Sequence, residues 1–202
     1  MANPFSRDRL MSIDEYFAFE DASAEKHEYV DGQVHAMSGA TREHSRIATN
    51  IAGHLWGSAR GGPCRVHRGE VKLRAGRFIY YPDVMVACGS PPRDPRIEDA
   101  PGLVVEVVSP STERTDRGEK LLVYRGIPAL AAYLIVEQDQ RCVERYWRGA
   151  SGEWQRELVV GSGEVAIPHA PMSLTLDDIY EGVEMPSPEE RLRLREEAAA
   201  YG

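Results

Sequence analysis

The chain is poor in cysteine, in long apolar runs and in positive charge. Its three cysteines, Cys64, Cys88 and Cys142, are scattered, odd in number and form no C-x-x-C pair. That usage fits a reducing cytoplasm and argues against a disulfide framework or a cysteine-rich zinc site. The longest apolar run, Ala129 to Val136, has eight residues. A membrane-spanning helix needs about 20, so no membrane partner is expected. Arg7, Asp8, Arg9, Asp14 and Glu15 leave no room for an apolar secretory segment near the N-terminus. Internal repeats and low-complexity linkers are absent. Lysine and arginine total 24 against 32 acidic residues, a formal net charge of −8. This argues against a small basic module that coats nucleic acid by bulk charge, though not against a locally basic face.

What is present is ordinary for a globular protein with a core: 42% apolar and 28% charged residues over 202 positions. The length suggests a single domain over residues 1–186 with a short tail, 187–202. Ser187-Pro188-Glu189-Glu190 reads as the start of a helix, with a capping serine, proline at the first helical position and acids in the first turn.

Ser12-Ile13-Asp14-Glu15 has the form of a capping box and opens a first helix. Two short runs from Glu25 to Met37 surround Asp31-Gly32, a dipeptide suited to a tight hairpin turn. Gly39-Ala40-Thr41 leads into a long helix to about Arg60, with Ile47, Ile51 and Leu55 as its core stripe and Gly61-Gly62-Pro63 as its end. Cys64 to Leu73 and Phe78 to Ala87 read as two strands around Ala75-Gly76, followed by a proline-rich, charged loop from Gly89 to Pro101. Leu103 to Val108 is apolar on both faces, as expected of a central strand covered on both sides. After Ser109-Pro110-Ser111-Thr112 a helix runs to about Tyr124. Ala129 to Glu137 is a further buried strand, and Arg141 to Arg148 with Glu153 to Val160 form a closing meander. This order predicts an α/β or α+β fold, a mixed central sheet flanked by helices, with an N-terminal helix and β-hairpin.

Glu106 is the most anomalous residue, an acid inside the most apolar strand. An ionised carboxylate buried without a partner costs several kcal/mol, about the whole margin of a small domain, so it is paired, protonated or metal-bound. A strand-end carboxylate that reaches solvent, or a structural salt bridge, is the plainer alternative. Asp83 follows Pro82 in Tyr80-Tyr81-Pro82-Asp83-Val84, where the proline marks a break in pairing; alone, Pro-Asp is turn chemistry. Asp116, Lys120 and Tyr124 are spaced by four and four, on one helix face. That face is either an exposed Asp–Lys pair or one that presents an ammonium to Glu106. Two carboxylates on neighbouring strands can hold a hard divalent cation such as magnesium (Mg), with manganese able to substitute. Such an ion activates water and offsets phosphoryl charge, and a nearby lysine adds a compact cation.

Pro82-Asp83 and then Glu106-Val107-Val108 resemble the PD-(D/E)XK nuclease signature, with Val108 where its lysine would stand. The chain is similar in detail to the Uma-two family of restriction-endonuclease-like proteins. The resemblance spans roughly residues 10–180 and is carried by Glu28-Tyr29-Val30-Asp31-Gly32, His44 with Ile47, Tyr81-Pro82-Asp83-Val84, Leu103 through Thr112, then Asp116, Lys120, Tyr124 and Gly126-Ile127-Pro128. It departs at Gln33, where the family usually has glutamate, and at Ala131-Ala132-Tyr133-Leu134. The resemblance implies a restriction-endonuclease-like core, a lysine moved to the helix at Lys120, and Asp83, Glu106 and the Val107 carbonyl around a metal.

Glu28 either supplies a third acid or is a half-exposed strand residue. His44 either meets the scissile phosphate or carries protons near neutral pH, or is a capping or surface histidine. His27, His35, His54, His67 and His169 lack metal-ligand spacing, and Ser109 and Ser111 lack a nucleophile-elbow setting. From Arg42 to Arg77 eight basic residues face two acids, a local net of +6 against −14 for the rest. Arg42, Arg46, Arg68 and Lys72 are the candidates for a phosphate-holding flank; scattered arginines pointing different ways is the alternative. The expectation is a cytoplasmic, magnesium-dependent DNA endonuclease. By analogy with nucleases that pair to cut two strands, it is a homodimer. Action on RNA or single strands, and a catalytically silent scaffold, are the competing readings.

Overall fold

The structure, a computed structural model, describes residues 10–37, 39–109, 112–168 and 173–201. Arg7 to Arg9, Pro110, Ser111, His169 and Gly202 lie outside the described residues. Helix α1 (Ile13–Ala22) starts on the Ser12–Glu15 capping box, both of whose bonds form. Strands β1 (His27–Val30) and β2 (Gln33–Ala36) make an antiparallel hairpin. Its turn needs positive φ at both Asp31 (49°) and Gly32 (98°), the reason for an Asp-Gly pair there. Thr41 caps α2 (Arg42–Ala59), whose Ile47, Ile51 and Leu55 are buried.

The two strands expected between Cys64 and Ala87 each break in two. Gly69 and Pro82 are the break points, and Gly69 N–H donates to the Pro82 carbonyl at 3.1 Å. Proline cannot donate to a ladder, so pairing changes sheets there. The inner halves, β4 (Lys72–Ala75) and β5 (Phe78–Tyr80), join the hairpin sheet in the order β2-β1-β5-β4-β7, where β7 is Ile97–Glu98. The outer halves, β3 (Cys64–Arg68) and β6 (Val84–Cys88), join the main sheet. Its order is β11-β10-β9-β8-β6-β3, with β8 (Leu103–Val108), β9 (Ala132–Glu137), β10 (Cys142–Arg148) and β11 (Trp154–Val160). β8 and β9 are parallel and every other neighbour pair in this sheet is antiparallel. The fold is thus α+β with mixed pairing.

The β8–β9 crossover is a helix in three consecutive parts: α3 (Glu113–Thr115), a π-helical segment (Asp116–Lys120) and α4 (Leu121–Arg125). α2 covers one face of the main sheet with α5 (Leu176–Ile179), burying Ile47, Ile51, Val105, Val107 and Ile179 together. The other face packs Tyr80, Val104, Val108, Tyr124 and Tyr133 beneath α4 and the hairpin sheet. A small antiparallel pair, β12 (Glu164–Ala166) and β13 (Ser173–Thr175), lies outside the strands expected from sequence. Ser187 caps α6 (Pro188–Tyr201) reciprocally with Glu190. Among the described residues no helix is long and apolar enough to cross a membrane.

One expectation from cysteine usage is overturned. Register sets Cys64 directly opposite Cys88 across β3 and β6, and the two form a disulfide. Only Cys142, which is buried, is free. The pairing depends on strand register, which cysteine spacing does not encode.

Candidate active site

Side chains alternate along β8. Leu103, Val105 and Val107 enter the α2 side of the core, and Val104 and Val108 the tyrosine-rich side. Glu106 therefore points into the tyrosines, at 3% exposure. Its Oε1 accepts a hydrogen bond from Tyr124 Oη at 2.8 Å and lies 3.2 Å from Lys120 Nζ. Lys120 comes from the π segment, a wide turn that often marks functional positions. Asp116 and Lys120 are the buried residues of that segment. Lys120 Nζ also lies 3.2 Å from Asp116 Oδ1 and 3.0 Å from Glu28 Oε1, and sits over the Tyr80 ring at 5.4 Å. Glu28 Oε1 is held by charge alone, since it is buried yet outside hydrogen-bond geometry.

Asp83 stands where the β6 ladder stops. β6 pairs β8 only from Leu103 to Val105, which leaves the edge of β8 open beyond. Asp83 Oδ2 accepts from the Val107 N–H at 2.8 Å, in place of a β6 partner. The N–H and C=O of one strand residue point to the same side, so the Val107 carbonyl faces this open edge too. The Asp83 N–H approaches Glu106 Oε2 at 3.4 Å. His44 Nε2 lies 3.1 Å from Asp83 Oδ2. His44 sits in the first turn of α2, where Thr41 Oγ1 accepts its N–H and donates to Gln138 Oε1, tying the helix start to the end of β9.

The electrostatics follow from these contacts. Burial alone would lower the Lys120 pKa, but Glu106, Glu28 and Asp116 outweigh it and hold the ammonium well above its ordinary value. Burial pushes Glu106 well above its ordinary value; Lys120 opposes, while Asp116, Asp83 and Glu28 push the same way. Burial, then the Glu106 charge, raises Tyr124 and keeps its hydroxyl a donor. Three carboxylates thus converge on one ammonium, with Asp83 beside Glu106, and the surplus is anionic oxygen, the donor type of a hard divalent cation. Among the described residues no three His, Cys, Asp or Glu side chains form a ready metal cluster. The donors that converge on the open edge are Asp83, Glu106 Oε2 and the Val107 carbonyl. Two carboxylates and a carbonyl, with water completing the shell, suit magnesium, which keeps several waters.

The structure therefore brings together Asp83, Glu106, Lys120, Glu28, His44 and Val107. It does not assemble the basic flank. Lys72 is buried, 5.0 Å from the Tyr81 ring centroid, and burial lowers its pKa. Arg46 packs over Gly182 and Arg68 donates to Thr49 on α2 at 2.8 Å. Arg65 pairs with Glu98, and Arg77 with Asp31. Arg42, exposed in the first turn of α2, is the candidate on the helix turn that carries His44. The cause is geometric: consecutive arginines on a helix and two bent strands face different ways. Asp116 and Tyr124 join the residues expected from sequence, and their spacing of four on either side of Lys120 is the signal that places them there.

The family model described as "Putative restriction endonuclease", Uma2, matches residues 13–178. The chain belongs to the Uma2 family. An uncharacterized protein of Synechocystis sp. is 34% identical over 178 residues, covering 86% of this chain and 93% of that protein. A second from the same organism is 28% identical over 158 residues, covering 76% and 89%. Among solved structures, a protein described as a "putative nuclease belonging to DUF820" from Anabaena variabilis superposes with a TM-score of 0.72 at 18% identity, covering 86% of this chain and 99% of that one. The family is a nuclease family and the fold is restriction-endonuclease-like. In this Uma2 member Val108 is buried in the core, and the ammonium beside Glu106 comes from the π segment.

Proposed function

We propose that this chain is an endonuclease that hydrolyses phosphodiester bonds in DNA, with magnesium as its metal and manganese able to substitute. The observation that carries the proposal is the meeting of Asp83 and Glu106 at the open edge of β8, with Lys120 held behind Glu106. Asp83, Glu106 and the Val107 carbonyl would hold the ion. Bound there, the metal supplies an activated water and offsets phosphoryl charge. Lys120 would orient that water or stabilise the charge that develops on the phosphate oxygens, as a fixed cation in a buried site. Glu28 and Asp116 brace its ammonium. His44 steadies Asp83 from the α2 side. Arg42 would contact a flanking phosphate, a positioning contact without base information. A homodimer suits a double-stranded substrate, one copy for each strand.

The test compares supercoiled plasmid, circular single-stranded DNA and RNA in magnesium, in manganese and in chelator. Cleavage of plasmid that needs the metal and falls about 100- to 1000-fold in Asp83→Ala, with an unchanged circular dichroism spectrum, supports the proposal. Equal cleavage in chelator, or by Asp83→Ala, contradicts it. A folded protein that binds DNA and cleaves none of the three substrates is the catalytically silent alternative.

A further inference from the structure

The two carboxylate oxygens of Glu106 have different surroundings. Oε1 accepts from Tyr124 Oη at 2.8 Å and faces Lys120 Nζ at 3.2 Å. Oε2 has the Asp83 N–H at 3.4 Å, a long contact at the limit of hydrogen bonding. The terminal torsion of a glutamate is broad and has little preference of its own, so its partners decide which oxygen faces which neighbour. Lys120 cannot decide it alone, because its ammonium is shared among Glu28, Glu106 and Asp116 at nearly equal distances. Tyr124 can. Its ring is fully buried and meets Tyr80 and Tyr133 edge-on, at 5.5 Å and 5.1 Å between centroids. The phenol is therefore fixed, and it has a single carboxylate oxygen to reach.

We propose that Tyr124 is a positioning residue that locks the Glu106 carboxylate, committing Oε1 to the lysine side and presenting Oε2 to the metal held with Asp83. The inference rests on the metal-site reading above. Without the phenolic hydroxyl, Glu106 can rotate and turn either oxygen, or both, toward the ammonium. Fewer molecules then hold Oε2 ready for the ion. Hydrogen-bond partners that orient a metal ligand typically contribute about 10- to 100-fold to metal affinity, and that is the size of effect expected here.

The experiment titrates manganese into the full-length protein by calorimetry, without nucleic acid, for the parent, Tyr124→Phe, Tyr133→Phe and Glu106→Ala. Phenylalanine keeps the ring and its edge contacts. Tyr133→Phe is the matched control: it removes an equally buried hydroxyl, one that donates to the Asp116 carbonyl at 3.1 Å rather than to Glu106. The expected result is an affinity about tenfold or more weaker in Tyr124→Phe, parental affinity in Tyr133→Phe, and no binding in Glu106→Ala. Cleavage by Tyr124→Phe should recover as metal is raised. Parental affinity in Tyr124→Phe overturns the inference and leaves the metal site standing. Equal losses in both phenylalanine variants also overturn it, because a general loosening of the tyrosine layer would then be the cause. A parent that binds no manganese through Glu106 overturns the metal-site reading itself.

Discussion

Glu106 and Glu144 lie in one row of one sheet and behave in opposite ways. Both are paired in register with Ile135, one from β8 and one from β10. With strands about 4.8 Å apart, they are about 10 Å from each other on the same face. They are also almost equally buried, at 3% and 2% exposure. Around Glu144 the donors are sufficient. Arg117 Nε reaches it at 3.1 Å, Tyr146 Oη donates at 2.5 Å, and Arg156 closes the set. Burial would raise its pKa, but Tyr146 and Arg156 outweigh that and hold it below the ordinary value. Around Glu106 the acids exceed the donors, and its pKa stands well above the ordinary value. Low surface exposure is common to both and does not mark the site; burial raises Glu106 first, and a surplus of carboxylates that the protein itself leaves uncompensated adds to it.

The sharpest way to break this contrast is catalytic. Lys120→Met should lower plasmid cleavage by about 100- to 1000-fold, whereas Glu144→Gln should leave the rate per folded molecule near the parental one. The next effect is on metal-linked stability. Manganese at about 100 times its dissociation constant should stabilise the parent by about 2.7 kcal/mol, read as a higher thermal midpoint. Glu144→Gln should show the same increment and Glu106→Gln none.

Smaller effects separate the two glutamates without metal. Glu144→Gln should cost about 2 kcal/mol at pH 7, below the usual 3–5 for breaking a buried pair, because its partners Arg117 and Arg156 are partly exposed. The depressed folded-state pKa of Glu144 makes this stabilisation full above the ordinary glutamate value of 4.5. It is lost as pH falls through the folded pKa, so parent and variant should converge in acid. Glu106→Gln should do the reverse, a gain of about 1 kcal/mol at neutral pH. A raised folded-state pKa favours the folded protein below 4.5 and loses that advantage as pH rises through it. The gain should therefore vanish in acid. Denaturant unfolding between pH 3.5 and 8 checks both signs.

Much of the candidate site was legible because it breaks sequence rules. A glutamate inside an apolar strand, an acid after a strand proline, and Asp116, Lys120 and Tyr124 on one helix face are anomalies visible without coordinates. The helices were legible from caps and periodicity, as Ser12 and Thr41 illustrate. What sequence could not supply is register. Nothing in the spacing of Glu106 and Glu144 places them on either side of Ile135, and nothing in that of Cys64 and Cys88 sets them face to face. Of the strand breaks, Pro82 was marked by its proline, but the break at Gly69 and the change of sheet were hidden. Gly69 and Pro82 send β4 and β5 into a second sheet, which buries Lys72 and scatters the arginines that a linear charge count had grouped. The π segment has no sequence signature either, yet it supplies both Asp116 and Lys120.

The central claim is that the uncompensated acids at the β8 edge are the active site of a metal-dependent nuclease. Magnesium-dependent cleavage of supercoiled plasmid by the parent, Glu106→Gln and Glu144→Gln, at equal concentrations of folded protein, tests it most directly. The account predicts cleavage by the parent and Glu144→Gln and its loss in Glu106→Gln. Cleavage by Glu106→Gln at the parental rate, or loss in Glu144→Gln alone, would contradict it.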